Sequence, residues 1–96
     1  MIYKLHEISG QRVLACCDAA LMGKSIKKGK VEMKVSEHFY KGEKIKEEEL
    51  KKILKEADSV NLIGKKCVNV ALKIGLINNS DIILIGKIPH IQIYKI

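Results

Sequence analysis

Apolar and polar positions alternate strictly from Val31 to Val35, the mark of a half-buried strand. Residues 2–8 and 11–17 also read as strands. Ser9 and Gly10 between them form a connection of hairpin length. Asp18 stands where a helix N-cap would, ahead of about one turn over Ala19 to Met22 that Gly23 closes. Gly23 to Lys30 reads as a basic, glycine-bounded loop, and Ser36 to Gly42 as irregular chain.

The period then changes. Leu50, Ile53, Leu54 and Ala57 fall at i, i+3, i+4 and i+7, one face of a helix. Glu47, Glu48 and Glu49 occupy its first turn, where the helix dipole favours negative charge. Glu47 precedes Lys51, and Glu48 precedes Lys52, by the four residues that let side chains pair. Ile45 is spaced to staple against Leu50. This charge run reads as a solvated helix face.

Strand, helix and strand follow. Val60 to Ile63 is a short apolar run broken by Gly64, and residues 65–75 form a helix with Gly75 as its left-handed cap. Asn78 to Ser80 turn the chain. Ile82 to Ile85, apolar on both faces, reads as a central strand. Pro89 interrupts, and Ile91 to Tyr94 reads as an edge strand. The two strands of the 60–85 unit are expected to lie side by side and parallel, with a right-handed crossover. The predicted fold is α/β of the mixed α+β type. It has a five- to six-stranded mixed sheet, main helices at about 46–57 and 65–75, an N-terminal β-hairpin and a C-terminal βαβ unit, in a single domain over residues 1–96.

Composition sharpens this in three ways. Hydrophobic residues are 47% of the chain and charged residues 30%, a globular balance that excludes intrinsic disorder. No apolar run approaches the ~18–20 residues that span a bilayer, and the first residues lack signal-peptide order, so no membrane partner and a cytoplasmic location are expected. The net charge is +7, which points to RNA or another anionic partner. Seventeen of the eighteen basic residues are lysine, however, and isoleucine is frequent, a joint excess that genome composition or a hot habitat can produce without a binding face.

Candidate chemistry is sparse. Cys16 and Cys17 are adjacent and would face opposite sides of a strand, and Cys67 is alone, so neither a disulfide framework nor a metal site is expected. His6, His38 and His90 lack zinc-ligand spacing, and no cofactor is expected. Cys17 with Asp18 and His90 are the weak catalytic candidates: a thiol just before a helix start, and an imidazole presented by a proline-fixed loop. Gly23, Lys24 and Ser25 resemble the end of a Walker loop, but Asp18 stands where that loop needs its first glycine. Gly64, Lys65 and Lys66, at a strand-to-helix turn, are better placed to hold an anion with free backbone amides. Lys24, Lys27, Lys28 and Lys30 form a second phosphate-contacting candidate, with Tyr40 as a stacking surface.

The order of the motifs carries a resemblance over nearly the whole chain. Cys17 and Asp18 are followed by Leu21, then Gly23 and Lys24, then Phe39 and Tyr40 with Gly42. Asn61 to Gly64, Gly75 with Leu76, and Gly86 leading to Pro89 and His90 complete the series. In this the chain resembles a small archaeal family of uncharacterised proteins, a domain of unknown function. The resemblance implies a stand-alone archaeal cytoplasmic protein and brings no activity with it. It draws attention to Cys17, Asp18, Lys24, Tyr40, Asn61 and His90.

Three functions remain open on these grounds. The first is a basic RNA- or ribosome-associated accessory domain using Lys24, Lys27, Lys28, Lys30, Gly64, Lys65 and Lys66. The second is a small enzyme or ligand-binding domain with a pocket near Asp18, Asn61 and His90. The third is a protein-interaction module.

Overall fold

In the computed structural model, which describes residues 1–94, the chain opens with an antiparallel hairpin. Strands β1 (Ile2–Ile8) and β2 (Gln11–Cys17) pair from Ile2 opposite Cys17 to Ile8 opposite Gln11. Ser9 and Gly10 both hold positive φ, 51° and 79°, as a tight two-residue turn requires. A 3-10 turn at Ala19–Leu21 leads into a separate hairpin of β3 (Ser25–Lys28) and β4 (Val31–Lys34). Then come α1 (Glu37–Tyr40), β5 (Glu43–Lys44) and α2 (Glu47–Glu56). After β6 (Ser59–Ile63) come α3 (Lys65–Lys73), a 3-10 turn at Asn79–Asp81, β7 (Ile83–Ile85) and β8 (Ile88–Tyr94).

The main sheet has six strands in the order β5-β1-β2-β6-β8-β7, and the fold is mixed α+β as expected. Its parallel seam joins β2 to β6, Val13 opposite Ser59 through Cys17 opposite Ile63. Every other pairing is antiparallel. Both long helices fall where the periodicity puts them. α3 ends in a Schellman cap: Gly75 turns left-handed at φ 72°, its N–H reaches the Leu72 carbonyl, and Leu76 N–H reaches that of Ala71.

Several local expectations need correction. β6 and β7 run the same way but do not pair, because β8 lies between them and pairs with both. The βαβ unit is therefore split, and the expected adjacency of 60–63 and 82–85 is absent. β7, expected in the centre, is an edge strand with Ile83 63% and Leu84 51% exposed. β8, expected at an edge, is interior and runs through Pro89. Its ladder with β6 ends at His90 opposite Ile63, so Pro89 lies past the point where a missing N–H breaks a bond. The basic segment 23–30 is strand β3 and its turn, with Ile26 buried between exposed lysines. Glu37–Tyr40, expected irregular, is a short helix.

The sheet buries its two faces differently. One carries Leu14, Cys16, Val60, Leu62 and Ile91 under α2 and α3. The other carries Ala15, Cys17 and Ile63 in a smaller cluster with Tyr40 of α1, Ile26 and Val35 of the β3–β4 segment, and Ile85. The β3–β4 hairpin, the four-residue α1 and the 3-10 turn, through Leu21, cover this second side, while Gln92 and Tyr94 on the same face stay exposed.

Candidate functional site

Strand register divides the second face into three rows. The first runs Ile2, Cys17, Ile63, His90, Ile83; the second Lys4, Ala15, Asn61, Gln92; the third His6, Val13, Ser59, Tyr94. Paired residues share a face, so polarity rises from the first row, against the buried cluster, toward the open end.

α1 lowers its aromatic residues onto this gradient. The carbonyls of its last turn have no helical acceptor role to fill, and β1 satisfies two of them. Lys4 Nζ donates to the His38 carbonyl at 3.2 Å, and His6 Nε2 to the Phe39 carbonyl at 2.8 Å. The His6 ring also stacks on Phe39, centroids 4.9 Å apart and planes at 15°. Phe39 meets Tyr40 edge-on at 4.9 Å. Tyr40, 2% exposed, donates its hydroxyl to Asn61 Oδ1 at 2.5 Å. His90 Nε2 donates to the same oxygen at 3.2 Å. Both acceptor positions of that oxygen are thus filled. Burial pushes the Tyr40 phenol well up and holds the His90 imidazole below its ordinary value, so both are neutral at neutral pH.

Beside this network lies a cleft of about 140 Å3 lined by Val13, Phe39, Ser59, Asn61, Gln92 and Tyr94. Of these only Asn61 stood out in the sequence, with Tyr40 and His90 next to it. His6, Phe39 and Gln92 were missed as a group. The available signal was strand parity: in β1 and β8 the polar positions His6, His90 and Gln92 are the ones that share the less apolar face.

Asp18 does not join them. Its residue faces the opposite side of β2, where its carboxylate accepts from Lys66 N–H at 3.0 Å and Cys67 N–H at 3.1 Å. It caps α3 rather than the 3-10 turn that follows it, where it makes no side-chain bond. The expected pocket of Asp18, Asn61 and His90 is therefore not formed. The same contact fills the anion site expected at Gly64, Lys65 and Lys66. The amides of Lys66 and Cys67 serve Asp18, and Gly64 N–H serves the Pro89 carbonyl at 2.9 Å.

Cys17 and His90 share a row with Ile63 between them, about 10 Å apart at two strand spacings. Cys17 is fully buried, and burial first, then its neighbours Cys16 and Asp18, push its thiol up to about 11. Both effects disfavour the thiolate that a nucleophile needs. Cys67, also fully buried, points its sulfur at the carbonyls of Ile63 and Gly64, and burial raises its pKa strongly. Among the described residues, no three His, Cys, Asp or Glu side chains gather so as to hold a metal ion.

The lysines are better gathered than the sequence shows. Lys28 Nζ lies 3.4 Å from the Leu84 carbonyl, and the Lys27 carbonyl packs against Gly86. Leu84 is the register partner of Pro89, and Pro89 lines a shallow groove of about 420 Å3 with Lys65, Lys66, Asn69 and Leu72. The β7–β8 hairpin therefore stands between the two basic segments. Among the described residues, Lys24, Lys27, Lys28, Lys30, Lys65 and Lys66 make no ion pair, whereas Lys41, Lys51 and Lys73 each do. No described helix is long and apolar enough to cross a membrane.

A mixed α+β protein with buried thiols and a Tyr–Asn–His network on one sheet face is the class these features define. Residues 6–96 match the model of DUF424, described as a protein of unknown function, and the chain belongs to that family. It is also similar to the crystal structure of an uncharacterized conserved protein from Methanopyrus kandleri, at 25% identity and a TM-score of 0.81, over 97% of this chain and 89% of that one. No curated protein matches it.

Proposed function

We propose that this is a cytoplasmic RNA- or ribonucleoprotein-associated accessory protein that contacts phosphates through the lysines flanking the β7–β8 hairpin. The observation that carries this reading is the approach of two basic segments, distant in sequence, to opposite sides of one hairpin: Lys27 and Lys28 by Leu84 and Gly86, Lys65 and Lys66 by Pro89. Lys27, Lys28, Lys65 and Lys66 make no ion pair, so their charge adds undiminished to the local potential around the hairpin. Lysine binds phosphate as a point charge, so recognition here is electrostatic and largely independent of sequence. Backbone amides at the α3 start take no part, because Asp18 holds them.

The test is binding to single-stranded and structured RNA across a salt series. Affinity should fall with a logarithmic slope of about −0.7 to −0.9 per phosphate neutralised. The Lys27→Glu, Lys28→Glu double variant should weaken binding, and Lys51→Glu, Lys52→Glu should matter less, since Lys51 is already paired with Glu47 and Glu48. Equal loss from both variants, or no binding at low salt, would turn the lysines into a solubilising surface and favour a protein-interaction module.

A further inference from the structure

The cleft on the open sheet face has a chemistry that the lysine surface does not use. Asn61 and Gln92 are register partners on β6 and β8, so two carboxamides stand side by side in its lining. The Asn61 oxygen is occupied twice, by Tyr40 and His90, which fixes the amide's orientation and leaves its Nδ2 protons as the group it can offer. Gln92 is exposed and, among the described residues, makes no side-chain hydrogen bond, so it offers a donor and an acceptor. Ser59, in the neighbouring row, adds a hydroxyl. Phe39 and Tyr94, the latter 75% exposed, supply ring surface on the α1 and β8 sides. Phe39 is held there by the His6 stack and by His6 bonding to its carbonyl, so one of the two rings is already positioned.

Rings beside paired amides suit a planar heterocycle, whose faces stack while its edge exchanges hydrogen bonds. The volume, about 140 Å3, is well under the ~300–1,000 Å3 of pockets that enclose drug-sized ligands. That leaves room for a single base and not for a whole nucleotide. The fixed donor of Asn61 requires an acceptor on the ligand's edge, which the 2-carbonyl of a pyrimidine supplies. We propose that this cleft is a pyrimidine-base site, in which the base carbonyl accepts from Asn61 Nδ2, Gln92 bonds the adjacent edge, and Phe39 and Tyr94 pack against the ring.

The base can come from a free nucleoside or from an RNA strand, and one experiment separates the two. Uridine, cytidine and adenosine, then short oligouridylate and oligoadenylate, are titrated into 15N-labelled full-length protein at a salt concentration that suppresses binding to the lysines. Pyrimidines should move the side-chain amide signals of Asn61 and Gln92 and spare Lys27 and Lys65. Gln92→Ala should weaken binding about tenfold, the worth of one lost hydrogen bond. Asn61→Asp keeps an oxygen for Tyr40 and His90 but replaces the donor by an acceptor, and should abolish binding while thermal unfolding shows the protein still folded. If that variant fails to fold, Gln92→Ala, at an exposed position, decides alone. Shifts from nucleosides identify a free base as ligand, and shifts from oligouridylate alone identify a base within RNA; either supports the site. Adenosine binding as well as uridine, undiminished binding by Gln92→Ala, or no shift in the cleft with any probe would overturn it. Loss of RNA binding in the lysine variants with cleft shifts intact would instead concern only the electrostatic reading.

Discussion

Asp18 fills the space that a side chain at Gly64 would need. A Cβ built on Gly64 would lie 2.4 Å from Asp18 Cγ and 2.7 Å from each carboxylate oxygen. Gly64 also holds φ at 115°, a conformation that residues with a Cβ rarely adopt. Gly64→Ala should therefore cost about 3 kcal/mol, combining backbone strain with displacement of the cap. Urea unfolding measures this, and a loss below that of an ordinary exposed substitution would refute the coupling.

Asp18 itself should behave as a helix cap from a distant strand. Asp18→Ala should cost about 1–2 kcal/mol, and Asp18→Asn, which keeps one acceptor, less. Hydrogen exchange should speed up at Lys66 and Cys67, whose amides lose their acceptor, before it does in α2. Uniform acceleration across both helices would mean that Asp18 supports the whole fold rather than the α3 start.

The Asn61 network makes an asymmetric prediction. Tyr40→Phe removes one of two donors and leaves Asn61 Oδ1 bonded to His90, so it should cost about 1 kcal/mol. Asn61→Leu leaves a buried Tyr40 hydroxyl and the His90 nitrogen without their acceptor, and should cost about 2–4 kcal/mol. Equal losses measured by thermal or urea unfolding would show that the shared oxygen does not couple the two donors.

His90 sets an acid limit. Burial depresses its pKa in the folded state below the ordinary 6.5, so the unfolded chain takes up a proton first as pH falls. Its neutral form contributes fully above about pH 6.5, and that contribution is lost as pH drops from there toward the folded pKa. His90→Gln should flatten the stability profile in this window. An unchanged slope would assign the acid sensitivity to other groups.

Thiol chemistry should be silent in the native state. Cys16, Cys17 and Cys67 are all free and buried. Alkylation at neutral pH should proceed only at the rate of unfolding or local opening, and should be complete once denaturant is added. A fast-reacting native thiol would contradict the burial of Cys17.

The elements whose own residues carry a period were legible: α2 from Leu50, Ile53 and Leu54, α3 with its Gly75 cap, and the β1–β2 hairpin from its Ser9–Gly10 turn. What failed was the pairing of strands. Ile83 to Ile85 look like a central strand because three apolar residues are consistent with burial on both faces, yet Ile83 and Leu84 stand exposed at an edge. The composition of a strand does not say which neighbours it acquires, and the β2–β6 seam joins residues 46 positions apart, as with Val13 and Ser59. The site was half legible for the same reason. Tyr40, Asn61 and His90 stood out singly, but their convergence depends on β8 lying next to β6, and Asp18 left the group because α3 starts on the other side of the sheet.

That strand order has a consequence for synthesis of the chain. β8 is late in the sequence and interior in the sheet. Until residues 88–94 leave the ribosome, β6 has only β2 to pair with, and the buried side chains of Leu62 and Ile63 border an open ladder. β7 is made before β8 yet has no strand to pair with until β8 follows, so the two join the sheet together. The β7–β8 hairpin therefore docks as one unit along the edge that β6 leaves open.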